Sequence, residues 1–281
     1  MKYWLSAGVL TLAGVLVLTG RPAPGNLPNL PNLEPAATAG TVSIASLNLD
    51  HESNFDKVRR DIDAAPRLRT ADILLLQEVA NEDGGPSIAS RLADSMGYSV
   101  AFSPEGPKVF DRGLAVLSKF PIEDSKVEWL TPHNLVFKTR HRFALSVKIR
   151  VPSGDLRIWN THLDTRINPN QRIDQLQPVM DEAAKMTGPR LIGGDFNTND
   201  FYWIGHVLPI PHGGGYRSTV RRSMARIGFQ TPFKDELTTL PIIRQHLDWL
   251  FVNGLEPLNS STEPIPFSDH NAIWAAFRVA K

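Results

Sequence analysis

Most of the short apolar runs in this chain end in, or lead into, a side chain of a kind that holds metal ions or phosphate. "SLNLD" carries Asn48 and Asp50, and "LLLQEV" presents Glu78 after an apolar run. "WNTHLD" carries Asn160, His162 and Asp164, and "LIGGDFN" carries Asp195 and Asn197. "HLDWLF" contributes Asp248, and "PFSDHN" contributes Asp269 and His270. Singly each means little, because carboxylates at strand ends are common and a lone histidine is more often structural. A shared function needs a fold that brings them into one pocket. In an extended strand, residues i and i+2 share a face, so Asp195 and Asn197 are expected to project together, serving either a turn or a reaction. Gly193 and Gly194 are expected to let the strand end approach a ligand.

Strands are expected over 41–49, 72–79, 113–118, 143–151, 156–163, 190–194, 247–252 and 272–279, each short, apolar and bounded by breakers. The fourth and fifth flank Pro152-Ser153-Gly154-Asp155, a hairpin signal, with Ala144, Ser146, Lys148 and Arg150 alternating onto one face. Residues 54–65 place Val58, Ile62 and Ala65 on one helical stripe. Residues 170–187 do the same with Ile173, Leu176, Val179 and Met180, and Pro178 is expected to kink or shorten that helix. Hairpins and helical crossovers in one chain fit a layered mixed α/β domain better than a purely parallel sheet.

The first forty residues stand apart. Lys2 precedes an apolar run over 3–19 that Arg21 ends. As a helix it covers roughly 25 Å, just short of a ~30 Å hydrocarbon core. Residues 1–20 read as a signal peptide or membrane anchor; a helix buried in the domain is the alternative. Residues 21–40 are proline-rich, with a Pro-Asn-Leu repeat, and read as a semi-rigid linker. The globular part is expected over 41–281, outside the cytoplasm, either secreted or membrane-anchored. The chain has no cysteine, which excludes disulfide partners, thiolate metal sites and a thiol nucleophile. Setting aside Lys2, Arg21 and Glu34 leaves 28 basic and 28 acidic residues in the folded part. A protein that holds long nucleic acid through its phosphates usually has a basic surplus.

Other conspicuous residues take blander readings. His51, His133, His141, His206, His212 and His246 have no metal-ligand spacing and read as structural or solvent-exposed. Tyr202 and Trp203 either rim a substrate groove or pack. Residues 212–216, "HGGGY", read as a flexible loop without the lysine of a P-loop.

In order, N-x-D, L-Q-E, T-H-L, G-G-D-F-N and S-D-H resemble the motifs of the endonuclease/exonuclease/phosphatase superfamily, and "DRGLAVLSKFPI" (111–122) resembles its internal strand. The resemblance spans residues 41–281. It implies a DNase I-like fold: a four-layer α/β/β/α sandwich of two mixed, mostly antiparallel sheets. It also implies a phosphoester hydrolase using Mg²⁺ or Mn²⁺, with Glu78 as direct ligand, Asn48 beside it, and Asp50 and Asp269 as outer or second ligands. His270 is implied as general base or acid, oriented by Asp248, and His162 as a phosphate contact or leaving-group donor. Asp195 would align or deprotonate the water, and Asn197 would donate its amide to the phosphate. Arg140, Arg142 and Arg166 are candidates for gripping a second phosphate.

The expected substrate is a phosphodiester, either nucleic acid or a phospholipid head group. A nuclease is ranked slightly ahead because nucleases are commoner among such proteins, while the neutral domain argues modestly against long duplexes. Membrane attachment through residues 3–19 would place the site near lipid. Sphingomyelinase-like and inositol-phosphate activities are the alternatives. An inactive envelope-tethered binding module is the alternative of another class, though none of the key positions is missing.

Overall fold

The computed structural model describes residues 40–80, 85–105, 112–133, 141–212, 215–234 and 237–279. The chain opens with β1 (Thr41–Asn48), α1 (Phe55–Ala64), α2 (Pro66–Thr70) and β2 (Ile73–Val79). Asn54 caps α1 by accepting the Lys57 N–H, and Pro66 sits in the first turn of α2, where its missing N–H costs nothing. Next come α3 (Ile88–Met96), β3 (Ser99–Pro104), β4 (Gly113–Ser118) and β5 (Ile122–Trp129). The hairpin β6 (Phe143–Val151) and β7 (Gly154–His162) leads into α4 (Pro169–Lys185), which continues through Pro178 instead of stopping there. The chain then runs through β8 (Arg190–Asp195), β9 (Phe201–Ile204), β10 (Leu208–Pro211) and α5 (Tyr216–Arg226). After a 3-10 turn (Pro241–Ile243), it closes with β11 (Asp248–Asn253), β12 (Leu255–Glu263) and β13 (Ala272–Val279).

Two sheets result. One has the order β12-β13-β1-β2-β4-β3, the other β11-β8-β7-β6-β5. Within each, a single neighbouring pair is parallel, β1 with β2 and β7 with β8; helices connect those pairs and the remaining ladders are antiparallel. Ile44, Ile73, Val116, Val147, Leu191 and Leu250 belong to the core between the sheets. On the outer side of the first sheet, Leu47, Leu74 and Leu76 pack with Val58, Ile62, Leu68 and Leu92. On the outer side of the second, Trp159, Ile192 and Trp249 pack with Leu176, Val179, Val220 and Met224. The layers are therefore α/β/β/α, and sheets covered on both faces explain why β2 reads as a continuous apolar run.

Ala144, Ser146, Lys148 and Arg150 share one face of β6 as expected, and burial varies along it: Ala144 packs with the outer core and Ser146 is buried, whereas Lys148 and Arg150 pair with Glu123 and Asp155. No helix among the described residues is long and apolar enough to cross a membrane. Residues 1–39, which carry the expected signal or anchor and most of the linker, lie outside the described residues.

Candidate active site

Register brings the polar strand ends together. His162 closes β7 directly beside Asp195 on parallel β8, and Asp195 lies opposite Asp248 on antiparallel β11. In the other sheet, Asn48 ends β1 beside Gln77 of β2. The Asn48 amide donates to Asp195 Oδ2 at 3.1 Å, tying the two sheets together at the site. Behind it, Gln77 donates to Asn160 Oδ1 at 2.8 Å, and the Asn160 amide donates to the Leu76 and Ala115 carbonyls, both at 2.9 Å. This satisfied polar network lies buried between the sheets.

Above the row opens a cavity of about 360 Å³ whose walls include Glu78, His162, Asp195, Asn197, Asp269 and His270. His270 Nδ1 lies 2.8 Å from Asp248 Oδ2, and both residues are buried. Burial disfavours the imidazolium, but the carboxylates of Asp248, Asp195 and Asp269 outweigh it and raise His270 to about 10. Its Nε2 stands 3.7 Å from Asp269 Oδ1.

Across the cavity, Glu78 sits at positive φ (52°), close to three nitrogens: His51 Nε2 at 2.5 Å, Arg112 Nη1 at 3.2 Å and His162 Nε2 at 3.7 Å. Burial alone would raise its pKa, yet the His51 hydrogen bond and the neighbouring positive charges lower it to about 2. His162 is fully buried, with Nδ1 3.3 Å from Arg142 Nη1. A guanidinium can only donate, so Nδ1 is the acceptor and the proton sits on Nε2, facing Glu78 and Asp195. Burial, then Arg142, hold His162 well below the usual imidazole value.

Asp195 accepts the Asn197 backbone N–H at 2.8 Å, and burial and Asp248 push its carboxyl up to about 7. The expected two-residue alternation is not what joins these residues. β8 ends at Asp195, Asn197 turns into the left-handed region (φ 50°), and the Asp195 carboxylate caps that turn. The Asn197 amide donates to the Leu163 carbonyl at 2.9 Å and, at a longer 3.3 Å, to Asp195 Oδ2. Turn and pocket wall are thus the same feature. The glycines also differ from expectation. A Cβ on Gly194 (φ 123°) would stand 2.1 Å from the Thr161 carbonyl, and one on Gly193 would meet Leu250 and Leu75. They allow strands and sheets to close, rather than admitting a ligand.

Asp50 and Asp269 both line the cavity. Arg142 does not: it is 6% exposed, with its guanidinium bound to Glu105 at 2.7 Å and Asp164 at 3.0 Å, behind His162. It orients that histidine and cannot reach a phosphate in the cavity. Arg166 is exposed and stacks over the Trp203 ring at the mouth. Arg140 lies outside the described residues, as do residues 213–214 of the expected 212–216 loop, whose Tyr216 opens α5.

Reading the sequence by ligand spacing missed His51, which lines the cavity three positions after Asn48. Its signal was adjacency to Asp50 within the first motif. Asn199, also in the wall, was hidden in the polar "NTND" after the strand, and Arg112 directly precedes β4. Of the remaining histidines, His246 is buried against the Trp249 ring, His133 pairs with Asp174, and His212 stacks on Tyr216.

Asp50, His51 and Glu78 each offer a ligand atom within 4.8 Å of the others. An ionised carboxylate facing a polar cavity, with a second carboxylate and an imidazole beside it, fits a divalent cation that accepts oxygen and nitrogen ligands.

The model of the endonuclease/exonuclease/phosphatase family matches residues 45–270. An endonuclease/exonuclease/phosphatase from Beutenbergia cavernae superposes with a TM-score of 0.66 at 18% identity, covering 85% of this chain and 72% of its own. Truncated TDP2 from Caenorhabditis elegans gives 0.58 at 21% identity, covering 85% and 97%. The human Nocturnin catalytic domain gives 0.61 at 17% identity, covering 85% and 93%. No curated protein matches the sequence.

Proposed function

From the premise that the chain belongs to the endonuclease/exonuclease/phosphatase family, we propose that it is a divalent-metal-dependent phosphodiester hydrolase acting outside the cytoplasm. The observation that carries the reading is the Asp248–His270 pair, 2.8 Å apart, facing Glu78 across one cavity with Asp195 between.

Glu78 and His51, with Asp50, Asn48 and Asp269 around them, would hold Mg²⁺ or Mn²⁺. When bound, such an ion neutralises phosphate charge and makes water more acidic. The chain's own groups do the rest. Asp195, its pKa raised toward neutrality, accepts a proton from the attacking water as the water oxygen bonds to phosphorus. His270, kept protonated by Asp248, gives its Nε2 proton to the leaving oxygen as the phosphorus–oxygen bond breaks. His162 Nε2–H, and the Asn197 amide hydrogen that otherwise makes the longer bond to Asp195 Oδ2, would donate to the phosphate oxygens as negative charge builds. Arg142 holds His162 in the donating tautomer.

Parallel assays of plasmid DNA, RNA, sphingomyelin and inositol phosphates with one preparation of the full chain test this reading. Turnover of at least one phosphodiester with Mg²⁺ or Mn²⁺, abolished by EDTA, is expected. Inertness toward all four overturns it.

A further inference from the structure

The strands β9 and β10 pair only with each other and stand outside both sheets. Residues 201–212, "FYWIGHVLPIPH", contain no Asp, Glu, Lys or Arg. Among the described residues eleven large apolar side chains are exposed; five lie between Tyr202 and Ile210, and two more are Ile242 and Ile243 of the 3-10 turn. Leu208 is 57% exposed and Ile242 83%. Both segments border one opening, since Phe201, Trp203, Leu240 and Ile243 line the catalytic cavity. Most of the exposed large apolar surface is therefore concentrated at its mouth, a concentration that marks an interaction site.

The base of this hairpin is held firmly. The Asn168 side chain accepts the Trp203 N–H at 2.7 Å and donates to the Trp203 carbonyl at 3.3 Å, and His212 N–H reaches the Asp200 carbonyl at 2.9 Å. Arg166 stacks on Trp203, and Arg244 follows Ile243; both are exposed, and neither has a carboxylate partner among the described residues. An apolar, aromatic-bearing tip rimmed by unpaired arginines matches a lipid interface, where aromatic rings sit at head-group level and arginines meet phosphates. Pro209 and Pro211 remove two N–H donors that an added partner strand would need. Nucleic acid is disfavoured by the neutral folded part, with 28 basic and 28 acidic residues. The apolar run at residues 3–19, joined by a proline-rich segment, would hold the domain at the same surface.

We infer that the β9–β10 hairpin and the 241–243 turn dock onto a membrane and seat the cavity over phospholipid head groups, which are then its substrate class. The inference rests on the phosphodiesterase reading of the cavity and favours lipid over nucleic acid as the substrate.

The absence of native cysteine makes the test local. An environment-sensitive fluorophore is placed on the full chain at Leu208→Cys or Ile242→Cys, with Asp94→Cys, on the exposed face of α3, as control. Vesicles of phosphatidylcholine, with and without phosphatidylglycerol, are then added. The labels at 208 and 242 should shift to the blue and be quenched by nitroxide lipids, while the label at 94 stays unchanged. Arg166→Gln and Arg244→Gln should each weaken the response to anionic vesicles about fivefold. The triple variant Ile204→Ser, Leu208→Ser, Ile210→Ser should lower hydrolysis of vesicle lipid at least about tenfold and leave hydrolysis of a soluble diester unchanged. Labels at 208 and 242 that ignore vesicles overturn the inference. So does a response to single-stranded oligonucleotide in place of lipid, or a label buried before vesicles are added, which would assign the patch to residues 3–19 or a second copy. If docking is seen but no diester is hydrolysed, the phosphodiesterase reading fails and the docking surface stands.

Discussion

Asp195 and Asp248 face each other across the β8–β11 ladder, and the His270 imidazole bonds to Asp248, so two carboxylates and one ring share a buried corner. Two buried carboxylates side by side repel, and a protonated His270 offsets that repulsion. The corner is consequently a charge-coupled unit, and its members should not behave independently when mutated.

Asp248→Asn removes the partner that keeps His270 charged. The folded pKa of His270 lies near 10, above the ordinary 6.5, so its contribution to stability is complete below about 6.5 and is lost as pH rises through 10. In EDTA, the melting temperature of the parent should fall between pH 7 and 10 more steeply than that of Asp248→Asn. An NMR titration of the His270 ring should show its pKa drop in the variant. Hydrolysis should fall by ~10²–10⁴-fold.

Glu78 presents an ionised carboxylate to the cavity, and His51 sets an imidazole beside it. Glu78→Gln should weaken Mn²⁺ binding at least ~100-fold with the far-ultraviolet circular dichroism unchanged. His51→Ala should cost about tenfold in Mn²⁺ affinity and less in Mg²⁺ affinity, because imidazole suits the softer ion. Calorimetric titration reads both.

Gly194→Ala places a methyl group against the Thr161 carbonyl at a backbone φ of 123°. The clash and the disfavoured conformation together should cost about 3 kcal/mol or more, measured by urea denaturation. The variant should also separate His162 from Asp195, so any folded fraction should be slow.

Asn160→Ala removes one of two acceptors of the Gln77 amide, which keeps Ser46 Oγ at 3.1 Å, and takes away the side-chain donor to the Leu76 and Ala115 carbonyls. Each unsatisfied buried group costs about 1–3 kcal/mol. A loss of about 1–3 kcal/mol is expected, read from the same denaturation curves.

The sequence made the layers legible where burial on both faces left strong signals. β4, β6 and β13 fall on their expected boundaries, and β1, β2, β8 and β11 are displaced by a residue or so. It did not reveal β5, whose IEDSKVEW is exposed along most of its length, nor β12, which is polar and joins its sheet through β13 alone. Such edge strands carry little apolar pattern of their own. The site was readable as a set of strand-end residues, since Asn48, Glu78, Asp195, Asp248 and His270 do converge. Arg142 was misplaced because a charged residue entering an apolar strand looks the same whether it faces a ligand or a buried carboxylate. His51 was overlooked because its partner, Glu78, is distant in sequence and the contact depends on positive φ at both residues (60° and 52°), which residue spacing does not encode.

The most direct measurement is the initial rate of hydrolysis of bis(4-nitrophenyl) phosphate by the full chain in Mn²⁺, with Glu78→Gln and His270→Ala prepared alongside. The cavity described above predicts turnover by the parent, none in EDTA, and at least ~100-fold slower rates in both variants. Equal rates in all three proteins, or none above the blank in the parent, would contradict it.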